Sequence, residues 1–215
     1  MNIAVIGYGH VGLVTAVTLA LMNHKVIVVD VGRTKVDRLN NKWPSFIKSK
    51  SLELLKQTVE SGNLEFTTEL GKATKTCDYL FVAIPTPNKD SVTYNLNFIT
   101  EIVKNIDQLS PAKQKIIIIR SAVPIGTCEE LRTIMDNKEH VIVHNPEFFR
   151  RGTALEDSLN PDQVIFGLPN FIPKPIGNNL KYILQNEIYK FDKNIPIFLT
   201  DTNTSETVKY KHITS

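Results

Sequence analysis

Little in this chain is suited to covalent crosslinking, metal binding or membrane insertion. Its 215 residues include only two cysteines, Cys77 and Cys128, too few for a disulfide framework and without the spacing of a metal site. No apolar run approaches the roughly 20 residues that a membrane span needs. The first residues read as a strand rather than a leader peptide, so cytoplasm is the expected compartment. Charge of one sign is scarce too: 25 Lys and Arg against 22 Asp and Glu leave a net +3. The lysines are scattered, with no basic block and no aromatic interleaving, which speaks for solvated helix faces and against a nucleic-acid surface. No repeat or low-complexity segment is visible. The hydrophobic share, 42%, is ordinary for a globular protein, and the length suffices for one large domain or two small ones.

What is present begins at once. Ile3-Ala4-Val5-Ile6 is a short apolar run. It meets Gly7-Tyr8-Gly9-His10-Val11-Gly12, a G-x-G-x-x-G pattern, followed by a small-residue helix and a second apolar run, Val26-Ile27-Val28-Val29, that ends in Asp30. Each glycine has a task in such a pattern. Gly7 permits the tight turn out of the first strand, Gly9 lets the backbone approach a pyrophosphate, and Gly12 lets the helix pack close to the sheet. The first N–H groups of the helix, from His10 and Val11 onward, then face the phosphates. Asp30 lies where a carboxylate binds both ribose hydroxyls of an adenosine, which favours NAD over NADP because a 2′-phosphate would be repelled.

The remaining chain alternates strands and helices, as a doubly wound, mostly parallel α/β sheet with helices on both faces requires. A helix from Val31 to Asn40 carries Lys35, either a ribose contact or an ordinary surface lysine, and Trp43-Pro44-Ser45 breaks it. Leu52 to Val59 predicts an amphipathic helix stopped at Gly62, and Leu64 to Thr67 a short strand. Tyr79 to Ile84 and Lys115 to Ile119 are continuous apolar strands, as burial on both faces demands. The first runs into Pro85-Thr86-Pro87, the second into Arg120-Ser121-Ala122-Val123-Pro124-Ile125-Gly126-Thr127. Ligands of such sheets bind beyond the carboxyl ends of strands, so Thr86 is a candidate cofactor contact and equally a turn residue between prolines.

Helices are predicted at Asn97 to Leu109 and Thr127 to Met135. A strand at Val141 to Val143 leads into His144-Asn145-Pro146-Glu147, where Glu147 is a candidate acid or base and equally an ordinary loop acid. A strand at Gln163 to Phe166, a helix at Ile176 to Tyr189, a strand at Ile195 to Leu199 and a helix around Glu206 to Lys211 complete the pattern. Thr202 or Thr204 is the expected cap of that last helix. The expected division is a dinucleotide-binding domain over 1–202 and the start of a connecting helix over 203–215, in a chain that looks cut short.

Together, Gly7 to Val14, Pro85-Thr86-Pro87, Ser121 to Thr127, Asn145-Pro146-Glu147-Phe148 through Asn160-Pro161-Asp162, and Ser205-Glu206-Thr207-Val208-Lys209-Tyr210 resemble the UDP-glucose/GDP-mannose dehydrogenase family. The likeness covers essentially the whole chain but only the N-terminal half of the family's two-domain pattern. It implies oxidation of a nucleotide sugar at C6 with two NAD+, through an aldehyde captured by a cysteine and a thioester that water hydrolyses. It implies that Gly7, Gly9, His10, Val11, Gly12, Asp30, Lys35, Thr86 and Ser121 hold NAD. Glu147 would help activate the hydrolytic water, Lys209 would steady an oxyanion, and Phe148, Phe149, Arg150 and Arg151 would contact the sugar nucleotide. UDP-glucose is the implied substrate, a UDP-N-acetyl sugar or GDP-mannose the alternatives, a homodimer the implied full-length form, and a surface polysaccharide the destination of the product.

Three positions depart from the family pattern. Ala122 stands where a threonine is usual, Arg151 where many members have glutamate, and Ile213 where an asparagine is expected. No glycine-rich motif carries a cysteine. The chain as written is therefore expected to bind NAD without completing the double oxidation. A degenerate NAD-binding or interaction protein without catalysis is the competing reading, and a single-step hydroxyacid dehydrogenase a more distant one.

Overall fold

The computed structural model describes residues 1–30, 32, 49–85, 96–150, 152–172, 177–191 and 194–214. The predicted helix over 31–40 apart from Gly32, the break at Trp43, and Lys35, Thr86 and Arg151 lie outside the described residues. So do the side chains at positions 213 and 214.

Eight strands form one sheet: β1 (Asn2–Ile6), β2 (Lys25–Val29), β3 (Leu64–Thr67), β4 (Tyr79–Val82), β5 (Ile116–Ile119), β6 (Val141–His144), β7 (Val164–Leu168) and β8 (Ile197–Asp201). Their order is β3-β2-β1-β4-β5-β6-β7-β8. All neighbours are parallel except β6 and β7, which meet antiparallel at His144 and Gly167. Chain order reverses at β1, whose neighbours are β2 and β4, and that switch point is where a doubly wound sheet opens a crevice.

The apolar runs split by alternation. Ile3, Val5, Phe81, Ile116, Ile118 and Val143 face one side and join one core cluster. Ala4, Ile6, Leu80, Val82, Ile117 and Ile119 face the other. Both faces are covered, so every residue of β4, β5 and β6 is buried. Each such isoleucine contributes about 2 kcal/mol of burial.

Helix α1 (His10–Leu21) is buried on nearly all sides, from Gly12 to Ala20. It packs against β2 and against helices α2 (Ser49–Glu60) and α6 (Ala154–Leu159). Small side chains such as Gly12, Ala16 and Ala20 permit that many close neighbours. On the other face lie α3 (Leu70–Thr76), α4 (Asn97–Leu109) and α5 (Thr127–Thr133). In α4, Ile99, Val103 and Ile106 form the buried stripe, at helical spacing. Helix α7 (Gly177–Asn186) returns to the first face through Leu180, Ile183 and Leu184.

The last helix, α8 (Thr202–Thr214), lies so close to β7 that a Cβ on Gly167 would sit 2.6 Å from the Ser205 Cβ. Its cap is neither Thr202 nor Thr204. Asp201 accepts hydrogen bonds from the Thr204 N–H and hydroxyl, at 2.8 and 2.6 Å, because a carboxylate is the better acceptor. The short helices α3 and α6 escape the sequence reading, since six or seven residues carry too little periodicity to show. At Gly62, the predicted stop of α2, φ is +68°, and its N–H closes the helix end on the Val59 carbonyl.

Candidate functional site

The cradle at the head of α1 is made of backbone. Gly7 has φ +105°, and a Cβ there would meet the Ala83 carbonyl oxygen at 2.6 Å. A Cβ on Gly12 would lie 1.9 Å from the Gly7 carbonyl oxygen, so no larger residue fits. Gly9 differs: nothing lies within 4 Å of where its Cβ would be. Two glycines are thus demanded by the fold, and the third faces open space, where a phosphate can approach the first N–H groups of α1.

No acidic side chain occupies the first turn of α1, so nothing there competes electrostatically with an anion. His10 is exposed and Val11 half-buried at the same turn.

Asp30 follows the carboxyl end of β2, half-buried. Its Oδ2 accepts the Tyr8 N–H at 3.0 Å and its Oδ1 the Gly32 N–H at 2.9 Å. The loop thereby orients the carboxylate, whose two oxygens are acceptors of the kind that ribose hydroxyls need. Tyr8 packs edge-on against Phe66, and burial, followed by the nearby Asp30 charge, pushes its phenol up to about 12. These residues fit an adenosine diphosphate moiety.

Ser121 lies just past β5. Its hydroxyl donates to the Ile84 carbonyl at 2.8 Å and also lies 3.3 Å from that of Val82. The structure therefore uses it to fasten the turn after β5 to the end of β4, while its oxygen can still accept from a ligand. Ala122 beside it is half-buried and has no hydroxyl to offer.

A second group gathers beyond β6. Lys209 of α8 is 5% exposed. Its ammonium donates to the Glu147 backbone oxygen and lies 3.0 Å from the Glu147 carboxylate. The Phe148 ring is 5.4 Å from the same nitrogen and stands edge-on to His212. The other Glu147 oxygen accepts the Phe149 N–H at 2.8 Å. A buried cation is thereby held against a half-buried carboxylate, the charged pair needed near a reacting oxygen. Arg150, by contrast, points outward, and its guanidinium pairs with Asp157 at 2.6 Å.

Beneath this loop is a cavity of about 400 Å³, lined in part by Arg120, Asn145, Glu147, Phe149 and Tyr189. Arg120 is 5% exposed. Its Nε donates to Thr15 Oγ1 at 2.8 Å, an Nη donates to Asn145 Oδ1 at 2.6 Å, and its charge lies over the Phe149 ring. Tyr189 donates to the same Asn145 oxygen, and the Asn145 amide donates to the Ile165 carbonyl. The sequence reading passed over Arg120 and Tyr189. The signal for Arg120 was a guanidinium directly after a four-isoleucine strand; Tyr189 carried none.

The two thiols are poor nucleophiles. Both are buried. Burial pushes Cys77 up to about 11, and burial together with Glu206 holds Cys128 well above its ordinary value. Cys77 caps the carboxyl end of α3, its N–H bonded to the Ala73 carbonyl. Among the described residues no cluster of His, Cys, Asp and Glu suits a metal ion, and no helix is long and apolar enough to cross a membrane.

Comparison with known proteins places these features. Residues 1–182 match the family model described as UDP-glucose/GDP-mannose dehydrogenase family, NAD binding domain. A UDP-glucose 6-dehydrogenase of Rickettsia conorii is 30% identical over 212 residues, covering 98% of this chain and 47% of its own length. The structure of a UDP-glucose dehydrogenase from Pyrobaculum islandicum superposes with a TM-score of 0.86 at 28% identity, over 98% of this chain and 48% of that one. A GDP-mannose dehydrogenase from Pseudomonas aeruginosa, solved as a ternary complex, gives a TM-score of 0.85 at 27% identity, over 100% and 49%. The chain spans less than half the length of these curated and solved relatives.

Proposed function

Because this chain belongs to the UDP-glucose/GDP-mannose dehydrogenase family, as its NAD binding domain, we propose that it is the cofactor half of a nucleotide-sugar dehydrogenase acting on UDP-glucose. The observation that carries the reading is the Lys209–Glu147 pair, a buried ammonium 3.0 Å from a carboxylate just past β6. NAD supplies the hydride acceptor. Gly9 and the first turn of α1, with His10 and Val11, receive its pyrophosphate. Gly7 and Gly12 shape that turn, and Asp30 takes the ribose hydroxyls. Lys35, Thr86 and Ser121 complete the cofactor contacts.

Glu147 holds the attacking water and Lys209 the oxygen that develops negative charge, in a site where the Phe148 ring excludes solvent. The loop from Phe148 through Phe149 and Arg150 to Arg151 receives the sugar nucleotide. Neither Cys77 nor Cys128 serves as the thiol of a covalent step, since both are buried with raised pKa values. The chain by itself therefore binds NAD and does not make a uronate. In this reading 1–202 form the cofactor domain and 203–215 begin the connecting helix, within a cytoplasmic protein that pairs with a second copy in its longer form and feeds polysaccharide synthesis.

Calorimetry with NAD and NADP, followed by assay with UDP-glucose and GDP-mannose, tests the proposal. NAD binding with at least tenfold preference over NADP, and no NADH from residues 1–215 with either sugar, is the expected outcome. Two NADH per sugar from this chain alone would overturn it. A second reading, NAD binding without any catalytic role, is favoured by Ala122, which has a methyl group where the family usually has a threonine hydroxyl. Joining this chain to the second half of a relative separates the two, since only the first reading predicts turnover.

A further inference from the structure

Glu206 is fully buried, at 0% exposure, one turn before Lys209 on α8. A buried carboxylate is costly unless its oxygens are hydrogen-bonded. Here they are: Oε2 accepts the Gly126 N–H at 2.6 Å and Oε1 the Cys128 N–H at 2.8 Å. Those are donors at the start of α5, where Gly126 sits at φ +91° and no side chain of α5 itself caps the end. An acid reaching in from another helix thus supplies the missing cap, with charge-assisted bonds of roughly twice the ordinary strength.

The inner side of α8 carries three fastenings in sequence. Ser205 pairs with His144 at 2.8 Å, Glu206 with the head of α5, and Lys209 with Glu147. Two of these tie α8 to the carboxyl end of β6. Glu206 alone ties it to the turn that follows β5. With Gly167 allowing backbone-close contact from below, α8 is free neither to slide nor to rotate while the Glu206 link holds.

We propose that Glu206 is the positioning residue of the Lys209 ammonium: by capping α5 it fixes the rotation of α8 that presents Lys209 to Glu147. The claim rests on the reading of Lys209 above for its functional meaning. Its physical content, where the ammonium lies, is tested without turnover, so either reading can fail alone.

The test compares lysine acylation by acetic anhydride in the whole 215-residue chain and its Glu206→Gln variant, residue by residue, by mass spectrometry. Glutamine keeps the size but brings an NH2 against one of the two donors. Lys115, 1% exposed and held by the Cys77 carbonyl and Asp78 at the opposite end of the strands, reports general loosening. The expected result is at least a tenfold faster modification of Lys209 with Lys115 unchanged. Equal protection of Lys209 in both proteins overturns the proposal, and so does a parallel rise at Lys115, which would mark Glu206 as a general stabiliser. If Glu206→Gln does not fold, Glu206→Asp, which retains the charge one methylene short of the donors, is read by the same two criteria.

Discussion

The two sites beside the sheet are built from different materials. The cradle at Gly7 to Gly12 and Asp30 uses backbone N–H groups, a tight turn and one acid, all within the first 30 residues. The group beyond β6 uses charged side chains brought from far apart: Glu147 and Lys209 are 62 residues apart in sequence and Gly126 and Glu206 are 80. A site made of backbone fails when a side chain is added, whereas one made of paired charges fails when a side chain is removed.

The sharpest way to break that contrast is Gly12→Ala. Its Cβ would lie 1.9 Å from the Gly7 carbonyl oxygen, and overpacking against backbone costs about 3 kcal/mol or more. NAD binding should disappear from calorimetry, with a large fall in melting temperature. A well-folded variant that binds NAD as before would sink the packing argument.

The second site should answer to deletion instead. Lys209→Met leaves the half-buried Glu147 without its partner, which costs about 3 kcal/mol in urea unfolding. NAD affinity should stay within about twofold of the original. If NAD affinity fell in step with stability, the two sites would be one unit and the contrast false.

Acid offers a third probe, confined to buried imidazoles. Burial holds His24 down to about 4, and burial with Lys209 and Arg120 nearby holds His144 down to about 3. An unfolded histidine titrates at about 6.5. Above that pH neither state takes the proton. Below it the unfolded chain does and the folded one refuses, so stability falls by about 1.4 kcal/mol per pH unit for each histidine. The decline should run from about pH 6.5 to about 4 for His24 and to about 3 for His144. Urea melts at pH 7, 6 and 5 will show it; burial also lowers His140, which adds to the decline, and His24→Asn should make the slope shallower without abolishing it.

The smallest effect expected is at Asp30. Asp30→Ala removes an acceptor of the ribose hydroxyls and of two loop N–H groups, lowering NAD affinity by about tenfold, roughly 1.4 kcal/mol. The fold should lose less than about 1 kcal/mol, as the Tyr8 and Gly32 N–H groups turn to water. Unchanged affinity would remove Asp30 from the cofactor site.

The same contrast explains what could be read in the sequence. The parallel core was legible because each strand is a short apolar run between turn residues; α4 was predicted with its observed limits, Asn97 to Leu109. The cradle was legible because its glycines answer to local sterics. The reversal between β6 and β7 was not, since nothing in Val141 to Leu168 states a strand's direction. Nor was the link from Glu206 to α5, because an acid inside a helix looks like any solvated acid until the fold brings N–H groups to it. Arg120 and Tyr189 went unseen for the same reason, their shared partner Asn145 being defined only by three-dimensional packing.

The antiparallel joint at His144 and Gly167 has a further effect. Because of it β7 and β8 lie mostly beyond the carboxyl end of β6, and β8 finishes with Asp201 beside Leu168, one residue from the joint. Helix α8 therefore starts level with that end, where Ser205 meets His144 and Glu206 meets the head of α5, and its later turns bring Lys209 to Glu147 and His212 to Phe148. Helices α1, α5 and α8 thus begin at one edge of the sheet, and each helix start carries the equivalent of about half a positive charge. Glu206 answers that charge at α5 from within the protein, whereas the head of α1, with no acidic side chain in its first turn, is open to an anion from outside.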